Sequence, residues 1–170
     1  MLAFGEEARY RLRLADGFLR EAGEDLNLCR WRSCVDNSQL AAENAAKAVL
    51  ALLGPVGRTH LPAPLLRRAL SENRFPDHVT QLVERLAECA ELLGPEIHAG
   101  TDYGDESMWR TPWEIFGEDD AKQAFSVASE AVTLAHEIFR LMSIGQEYVR
   151  KVFLHAWKEA INKPLPRPTT

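Results

Sequence analysis

The apolar residues Ala8, Leu12, Ala15, Leu19, Ala22 and Leu26 recur at alternating steps of four and three. On a helix of 3.6 residues per turn that spacing draws one continuous stripe, whereas a strand would need apolar residues at every second position. The pattern predicts a first helix over residues 6–28, with Arg9, Arg11, Arg13, Arg20 and several acids on its other face. A second stripe runs through Val35, Ala42, Ala46, Val49 and Leu53, widened by Ala41, Ala45 and Ala48. It predicts a helix over residues 31–53. Small side chains let neighbouring helices approach closely, so this helix is expected at the centre. Gly54-Pro55 follows, a glycine that can take the left-handed cap and a proline that cannot continue the helix.

The same logic continues along the chain. Leu65, Leu66 and Ala69 open a third helical segment. Pro76 disfavours helical backbone at Phe75, so a break is expected around Asn73–Asp77. Val79, Leu82, Val83, Leu86, Ala90 and Leu93 carry the helix on to Gly94-Pro95. Residues 95–117 show no sustained period and are expected to form an ordered loop packed across the bundle, since long loops in compact domains are seldom idle and Tyr103, Trp109 and Trp113 argue against disorder. Ala121, Phe125, Ala128, Val132, Ala135 and Phe139 predict a helix over 118–144. Gly145 is expected to end it, with a further helix over 146–162 and a proline-rich tail at 163–170. The expected fold is an all-α, antiparallel up-down four-helix bundle with an additional C-terminal helix, in a single domain spanning 1–162.

At 170 residues and 46% hydrophobic, the chain can bury a core without staples. No apolar run approaches the length a membrane helix needs, and Met1–Arg13 lacks the continuous apolar stretch of a secretory signal, so a cytoplasmic protein is expected. Cys29, Cys34 and Cys89 have no repeated spacing and read as plain thiols rather than a disulfide framework or zinc site. The net charge of −5 is uneven. Residues 61–142 carry 7 basic and 15 acidic side chains, and residues 143–170 carry 5 and 2. The acidic total argues against general DNA binding, though not against a small basic cleft. There is no phosphate-binding glycine loop, HExxH or CxxC, so no enzyme class with a recognised motif is supported and no cofactor is expected.

Two groups of polar residues stand out. Glu43 and Lys47, four apart, share a helix face with Gln39, which interrupts an apolar stripe. The three read either as a surface ion pair or as a polar strip lining a cleft or dimer seam. His60 sits in a turn, where a capping role is the plainer reading. His136, inside a helix, reads as a satisfied interior or surface histidine. Asp102, Asp105 and Glu106 could gather around Mg²⁺, but acids in a loop are ordinarily solvated, and no metal is expected.

The segment Ser38–Leu50, with its Gln, Ala, Glu and Lys pattern, resembles the second helix of HEPN domains. Ala15, Phe18, Leu19, Ala22 and Leu26 resemble that family's first helix, and Thr59-His60-Leu61 its turn after helix two. Tyr103 and Asp105 are similar to its Arg-Tyr-Pro-Asp element, and Pro112, Phe116, Ala121 and Ala128 to the approach to its last helix. Together the pieces span about residues 8–142. The resemblance implies a four-helix bundle that commonly forms a homodimer. It also implies a function in binding a nucleotide or in partnering a small nucleotidyltransferase, with Gln39, Glu43, Lys47, His60 and Tyr103 as the ligand-binding set. Other members of the family are ribonuclease toxins that use an Arg, four to six residues, then a His. Here Asp102 stands where an arginine often precedes the tyrosine, and the matching spacing occurs only at Arg150 and His155, outside the family core. Five helical steps set those two side chains about 140° apart, so a catalytic Arg150/His155 pair is the alternative reading.

Overall fold

The computed structural model describes residues 2–161, with side chains described for residues 5–143 and for Leu154 and His155. Among the described residues seven helices follow in order: α1 (Leu2–Asn27), α2 (Trp31–Leu50), α3 (Pro62–Ser71), α4 (Asp77–Leu92), α5 (Pro95–Tyr103), α6 (Pro112–Ile115) and α7 (Glu118–Ile161). Among the described residues there is no strand, only one isolated bridge between Asp105 and Arg110. The all-α bundle read from the periodicity is the observed class.

Two compact units divide the chain, Met1–Phe139 and Arg140–Thr170. In the first, α1 and α2 pair extensively. Ala8, Leu12, Ala15 and Ala22 of α1 are buried, as are Ala41, Ala42, Ala45, Ala46 and Ala48 of α2. The small side chains that marked α2 as central are covered within this chain. Gly23 of α1 lies so close to the Phe125 ring that an added side chain would touch it. Cys34 Sγ, buried in α2, faces the Ala121 carbonyl at 3.6 Å. Bidentate ion pairs tie Arg67 of α3 to Glu91 of α4, both contacts at 2.9 Å, and Arg85 of α4 to Glu130 of α7, at 2.6 and 2.8 Å.

Two helix ends share one device. After α1 the Arg30 N–H bonds the Asp25 carbonyl (2.8 Å) and the Cys29 N–H that of Leu26 (3.2 Å). After α3 the Arg74 N–H bonds the Ala69 carbonyl and the Asn73 N–H that of Leu70, both at 3.0 Å. This is the Schellman pattern, which needs a left-handed residue after the cap. Asn73 (φ 52°) and Cys29 (φ 57°) supply it. The break expected around Asn73–Asp77 is therefore present, set by Asn73 as much as by Pro76.

Three sequence expectations are corrected. Regular α2 stops at Leu50, and a hydrogen-bonded turn over residues 51–53 leads to Gly54 at φ 154°. Residues 95–117 are not a loop throughout, because α5 and α6 lie inside them. Each is opened by a proline in its first turn, and each is too short for an apolar period to show. Gly145 does not end the last long helix: residues 118–161 are helical without a break. A helix-interior glycine costs only about 1 kcal/mol against alanine, and by itself stops nothing. The tail at 163–170 lies outside the described residues. Among the described residues no helix is long and apolar enough to cross a membrane.

Candidate functional site

The α2 strip is a buried cluster rather than a surface pair. Glu43 is 4% exposed, and its carboxylate accepts hydrogen bonds from Lys47 Nζ (2.6 Å) and Gln39 Nε2 (3.1 Å). His60 Nδ1, delivered by the turn after α2, stands 3.4 Å from both carboxylate oxygens. Spacing by four along one helix places Gln39, Glu43 and Lys47 in line. Because Gln39 interrupts an apolar stripe, the line faces inward. Burial alone pushes the Glu43 carboxyl up, but hydrogen bonds from Lys47 and Gln39 and the charges of Lys47 and His60 outweigh it. The net result is a carboxyl held below its ordinary value of 4.5.

A second histidine completes the arrangement. His98 of α5 stacks on His60 with ring centroids 5.5 Å apart and planes 9° from parallel. His98 Nε2 lies 3.8 Å from Asp102, one turn further along α5. Asp102 also meets Arg32 of α2 at 3.4 Å. Arg32 Nε donates to the Thr101 carbonyl (2.8 Å), and the Thr101 hydroxyl donates to Asp36 of α2 (3.2 Å). On its other side α5 lies close to the end of α6, where a Cβ at Gly100 would press the Phe116 ring at 3.1 Å. A polar seam thus runs between α2 and α5, from Arg32 and Asp36 at one end to Glu43 and Lys47 at the other. It opens to solvent at His60, whose side chain is 69% exposed.

Two polar atoms within this seam are buried without a hydrogen-bond partner among the described residues: Gln39 Oε1 and His98 Nδ1. The glutamine amide must turn its nitrogen toward the Glu43 carboxylate, which leaves its oxygen orphaned. Such atoms cost free energy unless something satisfies them. One is an acceptor, and the other donates or accepts according to tautomer.

Of the residues singled out in the sequence, Gln39, Glu43, Lys47 and His60 are brought together. Tyr103 ends α5 next to Asp102 but is exposed, with no hydrogen bond to the cluster among the described residues. His155 is exposed, and the Arg150 side chain lies outside the described residues. Asp102 and Asp105 are engaged separately. Asp102 faces Arg32 and His98, while Asp105 accepts from the Ser107 hydroxyl and the Met108 N–H. Among the described residues no three His, Cys, Asp or Glu side chains are grouped to hold a metal ion. His136 meets Asp16 of α1 at 2.7 Å on the surface. Sequence reasoning missed His98, Arg32, Asp36 and Thr101. The pairs Arg32/Asp36 and His98/Asp102, each four apart, were the available signal, the second hidden by reading residues 95–117 as a loop.

The chain shares 22% identity over 146 residues with a Methanocaldococcus jannaschii protein named "Putative toxin MJ1304", a match covering 79% of this chain and 94% of that protein. Its fold is like that of TT1696 from Thermus thermophilus, known from a crystal structure. The TM-score is 0.57 at 21% identity, over 77% of this chain and 97% of that one. The HEPN domain family model matches residues 8–138, which hold the whole seam. By that match, over most of its length, the chain belongs to the HEPN domain family.

Proposed function

We propose that this chain is a HEPN binding module that takes a nucleotide at the α2–α5 seam and works beside a small nucleotidyltransferase. The observation that carries the nucleotide reading is the pair of orphaned buried atoms, Gln39 Oε1 and His98 Nδ1, in the seam that also holds the stacked His60 and His98 rings. A nucleobase edge offers donors and acceptors to such atoms, and its ring system stacks on imidazole. The Glu43 carboxylate suits a ribose hydroxyl. Lys47 is already paired with Glu43, so the phosphate end belongs at the open side, where His60 is exposed. The nucleotidyltransferase partnership rests on the family resemblance alone. A homodimer is part of the proposal: the family resemblance implies one, and Leu28, Leu61, Leu65 and Leu92 remain exposed.

Calorimetric titration with purine and pyrimidine mononucleotides tests the reading. One class should bind, and His60→Ala or His98→Ala should weaken it about tenfold, the effect of losing roughly 1.4 kcal/mol of contact. Both rings are at least partly exposed, so the folded state should survive, as circular dichroism would verify. Failure of every nucleotide to bind, or equal binding by both variants, rejects the site.

A ribonuclease toxin acting through Arg150 and His155 is the second reading, favoured by the toxin name of the M. jannaschii relative. We expect no cleavage of a mixed RNA pool. Cleavage abolished by both Arg150→Ala and His155→Ala would replace the binding-module reading with this one.

A further inference from the structure

The segment between α5 and α7 holds large apolar side chains out in water. Trp109 is 90% exposed, Trp113 73% and Met108 67%. They are held there by a tightly bonded turn. Asp105 Oδ1 accepts from the Ser107 N–H, the Ser107 hydroxyl and the Met108 N–H, at 3.0, 2.6 and 3.1 Å. Asp105 and Arg110 exchange backbone bonds of 2.8 and 2.9 Å, and a Cβ at Gly104 (φ 73°) would overlap the Arg110 carbonyl. Trp109 itself sits at φ 55°, a conformation bulky side chains avoid. Thr111 and Glu114 close a capping box over α6, which fixes Trp113. Ordered, exposed indoles are the side chains that dominate binding surfaces.

Charge selects the occupant. From Gly104 to Lys122 stand six carboxylates, Asp105, Glu106, Glu114, Glu118, Asp119 and Asp120, against two cations, Arg110 and Lys122, the latter paired with Glu118 at 2.6 Å. Trp113 also borders a cavity of about 260 Å³ with Trp31 and Phe116. Arg30 and Arg32 line that cavity, but each faces a carboxylate of its own, Asp25 for Arg30 and Asp36 and Asp102 for Arg32. A nucleic-acid backbone would be repelled by this surface. A second copy docking by the same face would set carboxylates against carboxylates. Guanidinium and ammonium groups are attracted by both the indole faces and the acids. We propose that the Met108–Trp109–Trp113 face, which adjoins the Arg32 end of the α2–α5 seam, is a docking surface for a basic, arginine-bearing segment of a partner protein.

The test uses the full chain and a short synthetic peptide of arginine and leucine, with binding read by calorimetry at several salt concentrations. The peptide should bind, more weakly as salt rises. Changing Trp109→Ala together with Trp113→Ala should weaken it about tenfold or more, the combined scale of two cation–π contacts. Both indoles are exposed, and unchanged circular dichroism and melting would confirm that the variant is folded. The proposal is overturned by failure of the peptide to bind or by equal binding to the double variant. Equal binding of the same peptide with glutamate for arginine, or of a single-stranded RNA, overturns it as well. So does a drop from two chains to one in the light-scattering mass of the double variant, which would make the face a self-interface.

Discussion

Glu43 concentrates the chemistry of this molecule in one side chain. A carboxylate at 4% exposure stays charged only because Lys47, Gln39 and His60 surround it. Removing one partner of a buried pair is costly, because the other charge is left uncompensated. Lys47→Met should therefore lower unfolding stability by about 3–5 kcal/mol. Adding Glu43→Gln should restore part of that loss, as chemical denaturation of both variants would show. The pH dependence follows from the same group. Its folded pKa is depressed below 4.5, so its contribution is fully present above the ordinary carboxylate range. That contribution is lost as pH falls through the folded value. Wild-type stability should drop on acidification below about pH 4.5, and Glu43→Gln should flatten part of the drop. Cys29 is the other telling residue. It occupies a left-handed cap position, where glycine carries no steric penalty. Cys29→Gly should stabilise the chain by about 0.5–1 kcal/mol, read as a raised melting temperature.

At the scale of elements, legibility followed length. The stripes of α1, α2, α4 and the first part of α7 extend over several turns, and repeated apolar spacing identified them along with their buried faces. Ala46 is fully buried as expected, so Ala46→Leu should overpack the core at about 1–3 kcal/mol. An unchanged melting point would contradict the packing described for α2. The nine residues of α5 allow too few turns for a period, and Gly100 and Thr101 disguise them further. Missing α5 meant missing half the seam. Gln39, Glu43 and Lys47 could be aligned because they lie on one helix, and Gln39 betrayed an inward face by interrupting an apolar stripe. His98 could not be joined to His60, because that contact depends on how α5 lies against α2, and no local spacing encodes it. Gly145 misled in the opposite direction, since a glycine permits a break without requiring one.

For the whole molecule, the bundle acts as a scaffold that brings a turn histidine and a short-helix histidine together over a buried charged strip. The chain belongs to the HEPN domain family, and the matched residues 8–138 contain the seam. Assembly is tested by light scattering at micromolar concentration, where the mass should be twice the 19.1 kDa of one chain. The central claim is that a nucleotide enters the α2–α5 seam, and its most direct measurement is the NMR of the histidine rings. The chain has five histidines, so the ring signals can be resolved and assigned by single substitution. Titration with the mononucleotide that binds best in calorimetry should move the His60 and His98 ring signals together, saturably, and leave those of His78 and His136 in place. Stationary His60 and His98 signals at saturating nucleotide, or movement confined to the other histidines, would contradict the claim.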